Sequence, residues 1–561
     1  MMALEAAPLI HSRFVRIAEA DPGRPALFGA DRCLTYGQLL ESARRVAASL
    51  LGLGLEPGSR VAIIARRNPG LVIQLLGVLL AGCQFAVLDR MYPRARLRAM
   101  IDACLPHAVL DETRLEKRDE AGLAVAGPTQ AGPPAYLAFT SGTTGTPKCV
   151  QGGHAAVAHY LTWSPDTFGL RADDRFSMIS GLSHDPLVRD VFSPLSLGAQ
   201  LFVPDPRTWA RPEALATWMR ECRLTVTHLT PTTARRVFLP GQASLPELRR
   251  VVLGGEVVHA GDLQTFAQVA PGAEFTVVYG CTETPQVVMH HTAGRDVLTG
   301  DPAAVVPLGE PAPEAEVELV PATGAAAPAG EHGELVVRSP HLAFGYLRCD
   351  GEGLRLEPFG KQYATGDLGH RDPDGRLLFA GRSDRQAKIR GARVELDEVE
   401  HHLRSCPGVV LAAASVEPSG DGPRVRATVV VRPDVPVTER EVKKHVAALL
   451  PTAAVPSAVT VLNAVPVSPN GKFDMNSDQS ARSAEDVARR VREILGAALG
   501  RGPLAAGDDF FELGGDSLAA IEAAAAVEEE LGYELSIEDI FTVSDVTELS
   551  ALVWNGLRAD L

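Results

Sequence analysis

Short apolar runs alternate with amphipathic stretches between about residues 34 and 253. Residues 60–65 and 199–204 are apolar runs of strand length, and residues 38–50 place apolar side chains at helical spacing. Strands that alternate with helices in this way are typical of β-α units on a parallel sheet. The pattern predicts a large α/β body with parallel-rich sheets.

The longest apolar stretch covers residues 71–83 and is interrupted by Gln74. It is well short of the roughly 20 residues that cross a bilayer, so it predicts a buried helix. The first residues have no basic stretch followed by an apolar core and a small-residue cleavage site, and so do not resemble a signal peptide. We therefore expect a cytoplasmic protein without a membrane partner.

The pattern changes towards the C-terminus. A Gly- and Arg-rich stretch around residues 375–393 leads into an amphipathic helix at about 397–405 and strand-like runs at 409–415 and 425–431. These elements predict a small α+β domain. Small and polar residues then form a linker, and from residue 486 onward the pattern is that of helices alone.

The amino-acid composition and the net charge indicate which partners and which stabilising groups the protein lacks. The 561 residues carry a net charge of −15, with 46% hydrophobic and 22% charged residues. This composition is typical of globular proteins, and the negative charge argues against a nucleic-acid surface, which needs clustered Lys and Arg. Eight cysteines without a C-x-x-C pair predict neither a disulfide framework nor a zinc site.

The segment from Tyr136 to Lys148 places an apolar strand before a run of Ser, Thr and Gly that ends in lysine. Glycines let the backbone approach a phosphate, hydroxyls and amides donate hydrogen bonds to its oxygens, and the ammonium offsets its charge. The spacing differs from the P-loop pattern G-x-x-x-x-G-K-[ST]. The segment predicts a phosphate-binding loop, with a Ser/Thr/Gly surface loop as the alternative.

This loop resembles the phosphate-binding signature of the adenylate-forming superfamily, which includes acyl-CoA synthetases, luciferases and the adenylation domains of nonribosomal peptide synthetases. Further motifs follow in the expected order, among them LTYGQL from Leu34, YGCTET from Tyr279, YATGDL from Tyr363, GRSDRQAKIRG from Gly381 and NGK from Asn470. The resemblance covers about residues 10–478. It implies an adenylation core at 1–383 and a small mobile C-terminal subdomain at 384–476. We expect a linker at 477–485 and a separate helical domain at 486–561.

The same resemblance implies that ATP and Mg²⁺ bind the large domain. By motif position, Tyr279 stacks on adenine, Asp367 holds the ribose hydroxyls with Arg382 close by, and Thr282 contacts phosphate. Glu283 is the expected magnesium ligand, since hard carboxylate oxygens suit this ion. The expected ATP-binding residues are Thr140, Ser141, Gly142, Thr143, Thr144, Gly145, Lys148, Gly255, Glu256, Tyr279, Gly280, Thr282, Asp367 and Arg382.

Lys472 is the expected catalytic residue of the adenylation step. Attack of a carboxylate on the α-phosphate brings negative oxygens together, and an ammonium between them lowers the barrier. From the residues alone, the alternative is a surface turn after Asn-Gly. Asp474-Met475 departs from the family, which usually has a basic residue nearby.

Two further residues are expected to serve the change between adenylation and thioester formation. The resemblance implies that Asp384 is the hinge and that Gly391 lines the pantetheine tunnel. The alternative for both is a turn residue without a further role.

Residues 508–518 resemble the attachment site of acyl and peptidyl carrier proteins. The resemblance implies that residues 486–561 form a helical peptidyl carrier domain, in which Ser517 lies at a helix start and carries 4′-phosphopantetheine. Unsatisfied amide donors at a helix start suit the phosphodiester of that arm. A plain helix cap is the alternative.

The family's substrate pocket matches ten positions, with Asp185 expected to pair with the α-ammonium and Lys472 with the carboxylate. Burying the polar members Arg189, His228 and Gln286 around an aliphatic side chain would leave donors unsatisfied at about 1–3 kcal/mol each. An acidic or oxygen-rich side chain, aspartate or glutamate first, is therefore predicted. The ten positions are Asp185, Pro186, Arg189, His228, Val252, Gly254, Val278, Gln286, Val287 and Lys472.

The competing interpretation of the pocket is that Arg189 points outward or is neutralised by Asp190. Val252, Val278 and Val287 would then define a site for a small aliphatic amino acid.

Together these features predict a nonribosomal peptide synthetase adenylation–carrier didomain that activates an amino acid as its AMP ester and loads it onto the arm at Ser517. The alternatives are a CoA ligase-like enzyme for a free carboxylic acid, disfavoured by the carrier domain and Asp185, and a non-catalytic carrier scaffold, disfavoured by the intact catalytic motifs. Expected partners are the amino acid, a phosphopantetheinyl transferase and a downstream condensation or tailoring enzyme acting in trans, since no further domain fits before residue 10 or after 561. An MbtH-like helper protein stays open.

Overall fold

The computed structural model of the chain divides into two compact units, residues 1–463 and 464–561, which are described separately. The residues that the structure describes are 9–30, 32–111, 114–118, 132–140, 147–238, 244–321, 332–349, 354–383, 385–419, 422–432, 435, 437–462, 484–515, 517–531, 533, 535, 539–540, 543 and 545–559.

The strands all belong to the first unit. Up to residue 202 they are β1 (Pro25–Phe28), β2 (Cys33–Thr35), β3 (Arg60–Ala65), β4 (Gln84–Asp89), β5 (Ala108–Asp111), β6 (Arg114–Lys117), β7 (Pro134–Thr140), β8 (Lys148–Gly153), β9 (Arg175–Ser177) and β10 (Gln200–Phe202). Up to residue 371 they are β11 (Val226–Leu229), β12 (Arg250–Gly254), β13 (Glu274–Tyr279), β14 (Met289–Thr292), β15 (Glu310–Pro311), β16 (Glu316–Val320), β17 (Gly333–Arg338), β18 (Gly345–Cys349), β19 (Leu354–Pro358) and β20 (Gln362–Arg371). The remainder are β21 (Leu377–Arg382), β22 (Gln386–Ile389), β23 (Ala392–Glu395), β24 (Val409–Glu417), β25 (Arg424–Val431) and β26 (Ala458–Leu462). These assignments cover the described ranges only.

Two large sheets carry the core of the first unit. One has the order β19-β18-β8-β7-β4-β3-β5-β6, and the other has the order β15-β14-β13-β12-β11-β9-β10-β1-β2. The central neighbours are parallel, as in β3 with β4 and β12 with β13, whereas the edges are antiparallel. The α/β class with parallel-rich sheets is therefore confirmed.

Helices fill the connections between these strands. In the first unit they are α1 (Ser12–Ala20), α2 (Tyr36–Gly52), α3 (Pro69–Leu80), α4 (Arg94–Cys104), α5 (His154–Phe168), α6 (Pro186–Leu197), α7 (Pro206–Ala210), α8 (Pro212–Glu221), α9 (Pro231–Val237), α10 (Ala260–Val269), α11 (Arg295–Thr299), α12 (Leu396–Arg404) and α13 (Glu439–Ala447). A short 3₁₀ helix spans Thr452–Ala454.

Local sequence explains where several helices begin. Thr35 and Gln38 form a reciprocal capping box at the start of α2, which satisfies two backbone amides that the helix itself leaves without partners. Asn68 caps α3, and Pro69 occupies its first turn, where a missing N–H costs nothing. The predicted helix at 38–50 is thus extended slightly at both ends.

The long apolar stretch forms α3, and it is buried as predicted. Its residues from Leu71 to Leu79 are buried, including Gln74, and they share one hydrophobic cluster with strands of both large sheets. Val61 on β3 and Val87 on β4 contribute to that cluster from one sheet, and Leu201 on β10 contributes from the other. Burial on all sides explains why no polar face interrupts this part of the sequence.

The C-terminal part of the first unit is smaller. A four-stranded sheet has the order β16-β17-β20-β21, β22 pairs with β23, and a three-stranded sheet has the order β24-β25-β26. Helices α12 and α13 share a hydrophobic core with the three-stranded sheet. The pair β22 and β23, the three-stranded sheet and these two helices form the predicted small α+β arrangement, whereas the four-stranded sheet belongs to the part of the chain predicted as core.

In the described part of the second unit the regular elements are helices: α14 (Ala484–Ala498), α15 (Ser517–Leu531) and α16 (Val546–Ala559). Val491, Phe510, Val527 and Val553 contribute to its core. The first helix begins at Ala484, inside the stretch predicted as linker.

Two remaining expectations concern cysteine and membrane segments. All eight cysteines are free thiols in this structure. Among the described helices, none combines the length and apolar character that a bilayer span requires.

Candidate functional site

A cavity of about 760 Å³ lies beside the ends of β12 and β13. Five predicted nucleotide-binding residues line it, although they are distant in sequence: Gly255, Glu256, Tyr279, Gly280 and Arg382. Gly255 has a φ of 87°, in the left-handed region that favours glycine, and this turn carries the chain out of β12. The structure therefore brings these five residues together around one space.

Tyr279 and Asp367 meet in a buried polar contact beside this cavity. The Tyr279 hydroxyl donates to Asp367 Oδ2 at 2.8 Å, and Arg382 forms an ion pair with Asp367 Oδ1. Lys388 Nζ lies 3.9 Å from Oδ2 and 5.6 Å from the centre of the Tyr279 ring. Burial and the neighbouring Asp367 carboxylate raise the pKa of Tyr279 well above its usual value, so the phenol remains a donor.

Strands β7 and β8 flank the predicted phosphate loop in the sequence. Thr140 ends β7 and pairs in register with Lys148, the first residue of β8. The Thr140 hydroxyl is buried and has no hydrogen-bond partner among the described residues. Lys148 Nζ lies 3.5 Å from Glu395 Oε1. The intervening predicted residues Ser141, Gly142, Thr143, Thr144 and Gly145 lie outside the described residues.

Glu283, the predicted magnesium ligand, is completely buried. Tyr346 donates to its Oε1 at 2.7 Å, and Arg393 Nη1 lies 3.0 Å from each carboxylate oxygen. Burial acts to raise the pKa of Glu283, but the Arg393 guanidinium and the Tyr346 hydroxyl outweigh it, and the net pKa is lowered. Glu283 is therefore a carboxylate, the form that a hard cation requires.

The predicted amino-acid pocket begins at α6. Asp185 precedes the helix, Pro186 opens it, and Arg189 lies one turn further on. Asp185 Oδ1 accepts a hydrogen bond of 2.8 Å from Thr282, a predicted phosphate contact. This bond joins the amino-acid pocket to the nucleotide site.

The remaining described pocket positions lie on three neighbouring strands and the loop that follows them. His228 on β11 is opposite Val252 on β12, and Gly254 is opposite Val278 on β13. Gln286 and Val287 follow in the loop, and Val287 packs in the same hydrophobic cluster as Val252 and Val278. Nine of the ten predicted pocket positions are among the described residues.

The hairpin of β22 and β23 brings a second set of charges to the nucleotide site. Lys388 approaches Asp367, Arg393 approaches Glu283, and Glu395 approaches Lys148. Sequence reasoning assigned no role to these three hairpin residues or to Tyr346. Their role could have been suspected from the sequence, because charged residues alternate with other residues on both sides of Gly391.

Gly391 lies at the turn of this hairpin with a φ of 77°. A β-carbon there would lie 2.3 Å from Thr230 Cγ2, far inside contact distance. Conformation and space both require glycine at this position.

The predicted hinge residue Asp384 and the predicted catalytic residue Lys472 lie outside the described residues. Ser517 begins helix α15, which places it at a helix start as predicted.

Family models match three consecutive parts of the chain. Residues 14–347, more than half of its length, match the AMP-binding enzyme family, and residues 398–472 match the AMP-binding enzyme C-terminal domain. Residues 489–553 match the phosphopantetheine attachment site family.

Curated relatives are much longer than this chain. One of the linear gramicidin synthase subunits of Brevibacillus parabrevis is 30% identical over 97% of this chain and 11% of its own length. Phenyloxazoline synthase MbtB of Mycobacterium sp. (strain MCS) is 33% identical over 96% of this chain and 49% of its own length. The chain thus spans half or less of these relatives.

Solved structures match the whole chain. Holo-PA1221, described as a nonribosomal peptide synthetase protein with adenylation and PCP domains bound to a vinylsulfonamide inhibitor, superposes with a TM-score of 0.72 at 25% identity, over 98% of this chain and 97% of that one. NpsA-ThdA, an artificially fused adenylation–PCP didomain from Klebsiella oxytoca, gives a TM-score of 0.70 at 22% identity over 89% of this chain and 99% of that one, which supports the fold.

Proposed function

This chain belongs to the AMP-binding enzyme family and carries a phosphopantetheine attachment domain, and from this we propose that it activates an amino acid as its aminoacyl-AMP and transfers the acyl group as a thioester to the arm on Ser517. ATP and Mg²⁺ serve the first step, and 4′-phosphopantetheine serves the second.

The hydrogen bond between Thr282 and Asp185 is the observation that carries this proposal. It places the carboxylate expected to bind an α-ammonium next to the segment that contains Glu283 and Tyr279. An amino acid bound through its ammonium at Asp185 therefore has its own carboxylate beside the nucleotide site. This proximity is what the first step needs, because bound reactants avoid the entropic cost of meeting in solution.

In the first step, a carboxylate oxygen of the amino acid attacks the α-phosphorus of ATP. The bond from that phosphorus to the oxygen bridging to the β-phosphate breaks, and pyrophosphate leaves. Tyr279 and Asp367 hold the nucleoside, and Lys472 stabilises the negative charge that develops between the reacting groups.

Magnesium fits the donor set at Glu283, which is a buried carboxylate beside the hydroxyl-bearing Thr282. When bound, the ion offsets phosphate charge and orients the phosphate oxygens. Glu283 is the residue that would hold it.

The carrier arm fits two features of the chain. Ser517 begins a helix, whose first amides have no partners within the helix and suit a phosphodiester. The turn at Gly391 leaves no room for a side chain beside Thr230, as expected of a narrow passage. When attached, the arm supplies the thiol that displaces AMP from the acyl carbon.

The carrier domain also suggests the partners. A phosphopantetheinyl transferase must attach the arm, and a condensation or tailoring enzyme must remove the product. The curated relatives are synthases in which this segment is half or less of the length, which supports the idea that further catalytic domains act on the tethered product.

Two assays test this function. Amino-acid-dependent pyrophosphate exchange reports the first step, and intact-protein mass spectrometry after treatment with a phosphopantetheinyl transferase, CoA, ATP and the amino acid reports the second. We expect Ser517→Ala to retain exchange and to lose two mass increments, that of the phosphopantetheine arm and that of the aminoacyl group bound to it. Ser550→Ala, which changes a serine within α16 of the same domain, should keep both increments.

Two results count against the proposal. A mass increment that persists in Ser517→Ala contradicts the attachment site. Rapid acyl transfer to free CoA by that variant, at the rate of intramolecular loading, supports a CoA ligase instead.

A further inference from the structure

A buried arginine in the substrate pocket has no carboxylate partner among the described residues. Arg189 is 7% exposed, and its Nη1 donates to the Gln286 carbonyl at 3.0 Å. Among the described residues its Nε has no hydrogen-bond partner, and none of their acidic side chains lies within ion-pair distance of the guanidinium. A buried charge without a partner of opposite charge destabilises the folded protein, unless a bound ligand supplies that partner.

The neighbouring carboxylate of Asp190 is fully engaged elsewhere. Its Oδ2 accepts from the backbone amides of Ile179 and Ser180 at 2.9 and 2.8 Å, and its Oδ1 lies 3.0 Å from His228 Nδ1. Asp190 therefore fixes the position of His228 and does not neutralise Arg189.

Two more buried polar atoms of the pocket have no hydrogen-bond partner among the described residues. They are His228 Nε2, on the ring edge opposite the bond to Asp190, and Gln286 Oε1. Gln286 has a φ of 74°, an uncommon conformation for a residue with a side chain, and its carbonyl is the one bound by Arg189. Unpaired groups on three pocket residues indicate that the ligand supplies polar contacts.

The charges of Asp185 and Arg189 indicate which class of amino acid the pocket binds. Asp185 offers one negative charge, which the α-ammonium of an amino acid neutralises. Arg189 acts on Asp185 electrostatically but forms no ion pair with a described carboxylate, so an uncharged substrate side chain would leave its guanidinium buried without a carboxylate in contact. Val252, Val278 and Val287 give the pocket apolar walls, which suit the methylene groups of a short acidic side chain.

We infer that the chain selects an amino acid whose side chain ends in a carboxylate, and that Arg189 binds this carboxylate. The inference rests on the proposed function and specifies the substrate class of the same site. His228 and Gln286 border the side chain and position it.

The test is pyrophosphate exchange with the wild-type chain over acidic, amide-bearing and aliphatic amino acids, compared as kcat/KM. We expect aspartate, glutamate or another side-chain carboxylate to exceed its isosteric amide by about 10²-fold or more, because a site built for a polar group rejects an analogue that lacks it. Arg189→Met should lower kcat/KM for the acid by a similar factor and bring the ratio of acid to amide close to one.

Arg250→Met provides the matched control. Arg250 is also buried but forms an ion pair with Glu274 at the far end of β12, so this variant should keep the acid-to-amide ratio even where stability falls. A wild-type preference for any uncharged amino acid overturns the inference. So does an acid preference that survives Arg189→Met. Exchange with none of the amino acids contradicts the proposed function itself, and the inference falls with it.

Discussion

Arg393 Nη1 lies 3.0 Å from both carboxylate oxygens of Glu283. Arg393 belongs to the hairpin of the small C-terminal part, and Glu283 is the predicted magnesium ligand of the core. A guanidinium and a metal ion compete for the same two oxygens. We expect this arrangement of the hairpin to favour a state of the enzyme after metal-assisted adenylation.

Arg393→Ala should therefore affect the two half-reactions unequally. Removing one partner leaves Glu283 buried without its cation, a change that costs about 3–5 kcal/mol for buried pairs. The observed hairpin arrangement should become less populated, and single-turnover transfer to the carrier should fall roughly 10-fold or more. Pyrophosphate exchange should be retained.

Arg385→Ala is the control for this experiment. Arg385 pairs with Asp397 and Glu400 inside the small part and makes no bond to Glu283. Equal losses of exchange and transfer in Arg393→Ala, matched by Arg385→Ala, would show a general loss of stability and not a switch.

Gly391→Ala tests the role of the hairpin turn. The new β-carbon would lie 2.3 Å from Thr230 Cγ2, so the turn must move away from the core. We expect transfer to the carrier to fall roughly 10-fold or more, on the scale of a misplaced reacting group, with exchange preserved. Gly375→Ala has a comparable φ of 81° with nothing within 4 Å of the added atom, so it imposes the same backbone strain without the clash. If both variants lose transfer to the carrier to a similar extent, backbone strain and not the clash with Thr230 causes the loss.

Local sequence patterns predicted the strands and helices more successfully than they predicted the contacts between side chains. The strand at Arg60–Ala65 and the buried helix α3 follow from periodicity within a few residues of sequence. The motif resemblance also identified residues that line one cavity, because the order of motifs along a chain reflects a shared fold.

Contacts between distant segments were beyond sequence reasoning. Arg393 and Glu283 are 110 residues apart, and the sequence alone gives no register between the hairpin and the core. The same holds for Arg189, whose neighbour Asp190 was its partner in the competing interpretation of the pocket. In the structure the Asp190 carboxylate instead contacts backbone amides and His228. Charge pairing depends on side-chain direction, which a linear pattern does not contain.

Asp185 gives a prediction of pH dependence. Burial raises its pKa, and the hydrogen bond from Thr282 and the charge of Arg189 offset only part of this rise. Because the pKa is raised, Asp185 becomes protonated at a higher pH than an exposed aspartate, and in its proposed role it would then no longer attract the α-ammonium. Thus kcat/KM for the amino acid should fall as pH decreases towards that pKa.

Measuring exchange against pH with wild type and Asp185→Asn checks this point. The variant should start from a much lower kcat/KM and lack the additional acid limb, whereas titration of the substrate itself affects both proteins equally. Identical pH profiles would exclude Asp185 as the titrating group.

Lys472→Ala should slow adenylation while sparing transfer. The developing charge between carboxylate and α-phosphate loses its ammonium, and removal of one such group from a preorganised site lowers rates by about 10²–10³. The second step breaks the bond to AMP without that approach of two anions, so transfer from chemically supplied aminoacyl-AMP should change much less. Exchange rates and single-turnover loading, measured on the same preparation, separate the two effects. Lys444→Ala, an exposed lysine on α13 within the predicted subdomain 384–476, should leave both steps unchanged. If Lys472→Ala instead lowers both steps equally and reduces thermal stability, the lysine supports the fold of the protein and the catalytic assignment is wrong.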